Sequence, residues 1–150
     1  MLNIKNFMTE DHRQCDDLLA TAEQAVATAS WDRAITTFAQ FQNAVLQHFA
    51  TEESLLFPAF EEKTGMHSGP TQVMRGEHVQ MRELMDAARQ ALLAQDADDY
   101  TGNTETLLIM MQQHNVKEEH VLYPMCDQHL GDQVATLLPQ LQASIQRKTE

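Results

Sequence analysis

The chain has 150 residues, a formal charge of −12, five Gly, four Pro and two Cys. Its acidity argues against nucleic acid and anionic membrane surfaces as partners, since both need basic patches. Cys15 and Cys126 form neither a CxxC motif nor a disulfide framework.

Few Gly and Pro, with abundant Ala, Leu, Gln, Glu and Met, favour helix over sheet. Apolar residues recur at spacings of three and four over about 8–28, 32–63, 70–94 and 100–127, which predicts four long helices. Ser30 before Trp31-Asp32 reads as an N-cap region. Gly65 closes the second segment, Ser68-Gly69-Pro70 opens the third, and Asp96 to Asp99 separates the third from the fourth. A fifth, weaker helix is expected over about 131–147, kinked at Pro139. No linker-like stretch interrupts the chain, so 1–150 reads as one domain, able to bury a core without disulfide staples. The N-terminus lacks the apolar run of a signal peptide, and no transmembrane stretch is present; a cytoplasmic protein with reduced thiols is expected. The expected fold is all-α: an up-down-up-down four-helix bundle with its core over about 8–127, plus an additional C-terminal helix.

The chemistry lies in a repeat. His12, His48 and Glu52 recur as His78, His114 and Glu118, each 66 positions on (12 to 78, 48 to 114, 52 to 118). The surroundings match too: His48-x-x-x-Glu52-Glu53-x-Leu55-Leu56-Phe57-Pro58 against His114-x-x-x-Glu118-Glu119-x-Val121-Leu122-Tyr123-Pro124. Imidazole nitrogens and carboxylate oxygens suit iron, manganese or zinc, and two equal sets imply a two-metal site with internal twofold symmetry. The fold agrees. The midpoints of 12 and 48, of 52 and 78, and of 78 and 114 fall at 30, 65 and 96, all on predicted turns, so one layer of the bundle can collect all six residues. Within each motif, His and Glu four apart share a helix face.

Other residues read as support. Glu53 and Glu119, about 100° round the helix, are outer partners of the ligands or surface groups. His67, His120 and His129 break the pattern and are expected at the surface or behind the ligands. Cys15, three residues after His12, and the set Met74, Met81, Met85, Met110, Met111 and Met125 read as core. Phe49, Phe57, Phe60 and Tyr123 form an apolar collar, with Tyr123 able to donate a hydrogen bond near the metals. Pro58 and Pro124 should bend their helices without disturbing the ligand turn.

The pattern His12, His48-x-x-x-Glu52, His78, His114-x-x-x-Glu118 resembles the hemerythrin-like, or HHE cation-binding, domain over about 8–127. The resemblance implies a four-helix bundle around two Fe ions, a non-haem di-iron centre. It implies His12 and His48 on one iron, His78 and His114 on the other, and Glu52 and Glu118 bridging both, with an oxo or hydroxo group as third bridge. Oxygen-carrying hemerythrins have a His-x-x-x-His pair on the third helix, but Met74 and Arg82 stand four residues either side of His78. They also have His-x-x-x-x-Asp on the fourth, against His114-x-x-x-Glu118 here. The four-His, two-Glu set is closer to bacterial, stress-linked, non-carrier members. A di-iron protein that binds, senses or responds to oxygen, nitric oxide or peroxide, or handles iron under stress, is therefore expected. A di-iron enzyme reducing peroxide or oxygen and an iron donor in iron-sulfur cluster repair are the alternatives.

Overall fold

A computed structural model describes residues 2–145. Two antiparallel helical hairpins pack side by side: α1 (Ile4–Ala27) with α2 (Trp31–Thr51), and α4 (Pro70–Leu93) with α5 (Ala97–Lys117). Short helices α3 (Phe57–Thr64) and α6 (Tyr123–Leu130) continue α2 and α5 past a single π-helical turn each, Glu52–Leu56 and Glu118–Leu122. A 3-10 turn, Gly131–Gln133, leads into α7 (Val134–Ser144), which contains Pro139 and packs on the Glu52–Leu56 turn. The expected all-α bundle with an extra C-terminal helix is observed. The part of the fifth predicted segment beyond 145 lies outside the described residues.

α1 begins four residues before its periodic pattern does, because its exposed N–H groups find partners. The Asn3 side chain accepts from the Asn6 N–H at 2.7 Å, and the Asp127 carboxylate accepts from Ile4 and Lys5 at 2.9 and 3.0 Å. A carboxylate at a helix N-terminus is also favoured by the helix dipole. No local pattern announces a cap donated from 122 residues away. Ser30 does occupy the N-cap position of α2, but its hydroxyl meets Thr28 Oγ1 at 3.0 Å instead of capping.

The repeat reaches the turns. Both hairpins close on a left-handed, non-glycine residue, Ala29 (φ 56°) and Gln95 (φ 55°), which are also 66 apart (29 to 95). Such residues cost about 1 kcal/mol each, so the surrounding packing holds them there. The helix before α4 ends on Gly65 at φ 73°, where glycine carries no such cost.

The prolines act differently from expectation. Pro58 and Pro124 have no N–H and clash with the carbonyl four residues back, so the α pattern cannot continue through them. The preceding N–H reaches one residue further: Phe57 bonds the Glu52 carbonyl, and Tyr123 bonds that of Glu118. The widened turn starts on the motif carboxylates themselves. The prolines thus do alter the ligand turn, and π-bulges often mark functional sites.

Two apolar clusters fill the interior. One runs through the hairpins and includes Leu19, Phe38, Phe41, Phe49, Met81, Met85, Leu92, Tyr100 and Leu107. The other joins the start of α1 to α3, α6 and α7 through Ile4, Met8, Phe57, Phe60, Tyr123, Leu130 and Leu141. The polar layer of the repeat lies between them. Among the described residues, no helix is long and apolar enough to cross a membrane.

Candidate metal centre

All six repeated residues converge in that layer, and none is more than 6 % exposed. His12 and His48 form one pair, with ring centroids 4.6 Å apart, and His78 and His114 form a second at 5.0 Å. The carboxylates lie between the pairs. Glu52 Oε1 is 3.1 Å from His78 Nε2, and Glu52 Oε2 is 3.5 Å from His48 Nε2. Glu118 Oε1 is 3.2 Å from His12 Nε2 and 3.3 Å from His114 Nε2. Each carboxylate therefore touches both histidine pairs.

Every imidazole presents Nε2 inward because its Nδ1 is engaged from behind. His12 Nδ1 donates to Glu119 at 2.7 Å, His48 to Asp11 at 2.7 Å, His78 to Glu53 at 2.6 Å and His114 to Glu77 at 2.8 Å. A carboxylate accepts but does not donate, so Nδ1 carries a proton and Nε2 is the nitrogen left to face the cluster, its lone pair open to a metal once any second proton has left. These four carboxylates obey the same repeat (11 to 77, 53 to 119). Glu53 and Glu119 are hence partners of His78 and His12, not surface groups. Asp11 and Glu77 escaped the sequence reading. The acid immediately before each first histidine was the signal that could have revealed them.

Further out the symmetry relaxes. Arg82 grips Glu53 with both guanidinium nitrogens at 3.0 Å, and Lys117 bonds Glu77. The positions corresponding to Arg82 and Lys117 hold Asp16 and Thr51. Phe49 stacks on His78 with centroids 3.8 Å apart, and Phe57 lies over the same ring at 5.8 Å. His67, His120 and His129 are exposed, as expected, His129 standing edge-on to Phe60.

The electrostatics are those of a site built for cations. Burial opposes the charge on His48, yet Glu52 and Asp11 outweigh it and hold the imidazolium well above its usual range. Burial likewise opposes His114, but Glu118 raises it to about 9. Glu52 is buried, which alone would raise it, but the His48 charge and its hydrogen bonds bring it well below the carboxylate range. Even so, of the six buried side-chain atoms without a hydrogen-bond partner among the described residues, four belong to this layer: Glu52 Oε1, His78 Nε2, His114 Nε2 and Glu118 Oε2. Unpartnered buried polar atoms cost free energy. Here all four point into one cluster. The oxygens and nitrogens of Glu52, His78, His114 and Glu118, and those of His12, His48 and Glu118, each lie within 4.8 Å of one another, a spacing that can hold a metal ion. The donor set fits the group that the repeat implies.

A family model described as "Hemerythrin HHE cation binding domain" matches residues 3–126. The chain belongs to this hemerythrin HHE family. A search of curated proteins and a search of solved structures return no match. Membership and the buried His/Glu cluster together suit a non-haem iron-binding protein.

One consequence is a pH dependence of loading. A metal takes Nε2 only after its proton leaves. With His114 raised to about 9 and His48 raised as well, both are protonated in the metal-free chain at pH 7. Metal affinity should rise with pH up to about 9, and loading at pH 7 should release protons measurable with an indicator in weak buffer. Loading without proton release would contradict this protonation assignment.

Proposed function

We propose that this hemerythrin HHE domain holds two irons and uses them to bind, sense or respond to small oxidants such as oxygen, nitric oxide or peroxide, or to handle iron under stress. His12 and His48 would hold one iron, His78 and His114 the other, and Glu52 and Glu118 would span both. The observation that carries this reading is that the carboxylates lie between two separate imidazole pairs whose Nε2 atoms all face inward. A ferrous pair supplies electrons and exchangeable coordination positions to a small oxidant. Two imidazoles and one oxygen from each carboxylate give four protein donors per iron, which leaves positions free in a six-coordinate site, whereas closed structural sites leave none.

The protein's own contribution is orientation and exclusion of bulk water. The four rear carboxylates fix the imidazole rings, and the apolar clusters on either side keep the layer dry. A cavity of about 10 Å³ adjoins the layer, bordered by His12, His48, Cys15, Val45, Phe49 and Met111. It is about the size of one water molecule's accessible space, which favours small ligands over organic substrates.

Reversible oxygen carriage is not part of this function. Neither residue flanking His78 by one turn can add a fifth imidazole: Met74 is buried in the apolar cluster that joins α1 to α3, α6 and α7, and Arg82 is tied to Glu53. Without that extra ligand neither iron is closed off, and the pair should oxidise to a stable ferric form. The test is to expose the diferrous protein to oxygen, sparge with argon and follow the spectrum. The ferric spectrum should persist until a reductant is added. Return of the diferrous spectrum under argon alone would overturn the reading in favour of carriage.

A further inference from the structure

One break in the twofold repeat puts a polar atom against the donor cluster: Tyr123 stands where its partner position holds Phe57 (57 to 123). The two rings adopt matching poses. Tyr123 lies over His12 with centroids 5.7 Å apart and planes at 30°, and Phe57 lies over His78 at 5.8 Å and 21°. The difference is the hydroxyl, and its surroundings are specific. Its oxygen is 2.6 Å from Glu52 Oε2, 2.9 Å from Glu118 Oε1, 3.1 Å from His48 Nε2 and 3.2 Å from His12 Nε2. The two nitrogens belong to the histidines assigned above to one iron, and the two oxygens to the carboxylates that would span both.

The spacings are informative. Neighbouring donors around a six-coordinate cation with bonds of roughly 2.1 Å stand about 3 Å apart. The Tyr123 oxygen meets that spacing to four donors at once. As a hydrogen-bonding group the hydroxyl has one proton to give, yet both Glu52 Oε2 and Glu118 Oε1, which as carboxylate oxygens only accept, lie within its reach. The side chain is fully buried, so water does not share the role.

We infer that Tyr123 is a fifth protein ligand, through its phenolate oxygen, to the iron held by His12 and His48. The inference rests on the two-iron reading and adds a chemical difference between its halves. On coordination the phenol O–H breaks, the oxygen lone pair forms the bond to the cation, and the proton passes to solvent. The His12/His48 iron then keeps one position not filled by protein, against two at the His78/His114 iron, where Phe57 offers no donor. An anionic oxygen also favours the ferric state of its iron, in keeping with irreversible oxidation by oxygen.

The test is spectroscopic. Wild type, Tyr123→Phe, Phe57→Tyr and Tyr100→Phe are loaded with ferrous iron, oxidised, assayed for iron and examined by visible absorption and resonance Raman. The sequence has two tyrosines, and Tyr100 packs against Phe38 in the apolar cluster that runs through the hairpins. Wild type and Tyr100→Phe should show a visible phenolate-to-iron band with enhanced phenolate ring modes. Tyr123→Phe should lose both while retaining iron, and Phe57→Tyr should strengthen them. If Tyr123→Phe sheds iron, phenolate modes in both wild type and Tyr100→Phe still assign the ligand. Two irons per chain without phenolate modes, or with modes that survive Tyr123→Phe, would overturn this inference and leave the two-iron reading standing. A wild-type chain that takes up no iron would sink both.

Discussion

Glu52→Ala and Glu118→Ala should each reduce iron from two per chain to less than one, whereas any single His→Ala at positions 12, 48, 78 or 114 should leave about one. The reason is connectivity. Each carboxylate lies against both histidine pairs, so its loss weakens both irons, while each imidazole belongs to one pair. Removing one of these carboxylates also leaves buried imidazoles without the negative charge that stabilises their cations in the metal-free state. Glu53→Ala and Glu119→Ala should behave differently, because they touch Nδ1 from behind: about 10- to 100-fold weaker binding, with full occupancy still reached at excess iron. Iron analysis of the purified variants checks all of these. If Glu53→Ala empties the site and Glu52→Ala does not, the assignment is one residue out of register.

Iron removal should lower the melting temperature substantially without unfolding the chain. A ligand present at a thousand times its dissociation constant and bound only by the native state adds about 4 kcal/mol. For a domain of this size that is roughly 8–16 °C in melting temperature. The metal-free chain should remain helical for two structural reasons. The apolar clusters above and below the layer do not depend on metal. The layer itself stores protons on His48 and His114 opposite ionised Glu52, so its charges compensate one another when no cation is present. Circular dichroism and thermal melts before and after chelation give the measurement. A disordered chelated chain would show that the two clusters cannot hold the bundle.

The six convergent residues were legible in the sequence because an exact repeat constrains geometry: equal offsets about each turn put the residues at one level, whatever the helix ends do. The turns at 30, 65 and 96 followed from the same arithmetic. The π-helical turns were not legible. Proline signals that an α-helix must change, but whether it kinks, stops or widens is decided by packing, here of α3 and α6 against each other and of α7 against the first widened turn. The start of α1 is only half legible: Asn3 is a local N-cap, but the partner of the next two N–H groups, Asp127, comes from across the fold. Asp11 and Glu77 were hidden because they precede the histidines they do not serve: each holds the histidine of the neighbouring helix, Asp11 that of α2 and Glu77 that of α5. For Tyr123 the sequence suggests a collar residue able to donate a hydrogen bond near the metals, and its hydroxyl does bond Glu52 and Glu118; that it also lies close to two imidazole nitrogens is visible only in the structure.

One layer of this bundle should hold two irons. Protein purified from iron-replete cells, or reconstituted anaerobically with ferrous iron and desalted, can be analysed for metal by mass spectrometry against a protein concentration fixed by amino-acid analysis. Two irons per chain are expected. Less than one iron per chain after reconstitution would contradict a two-iron layer.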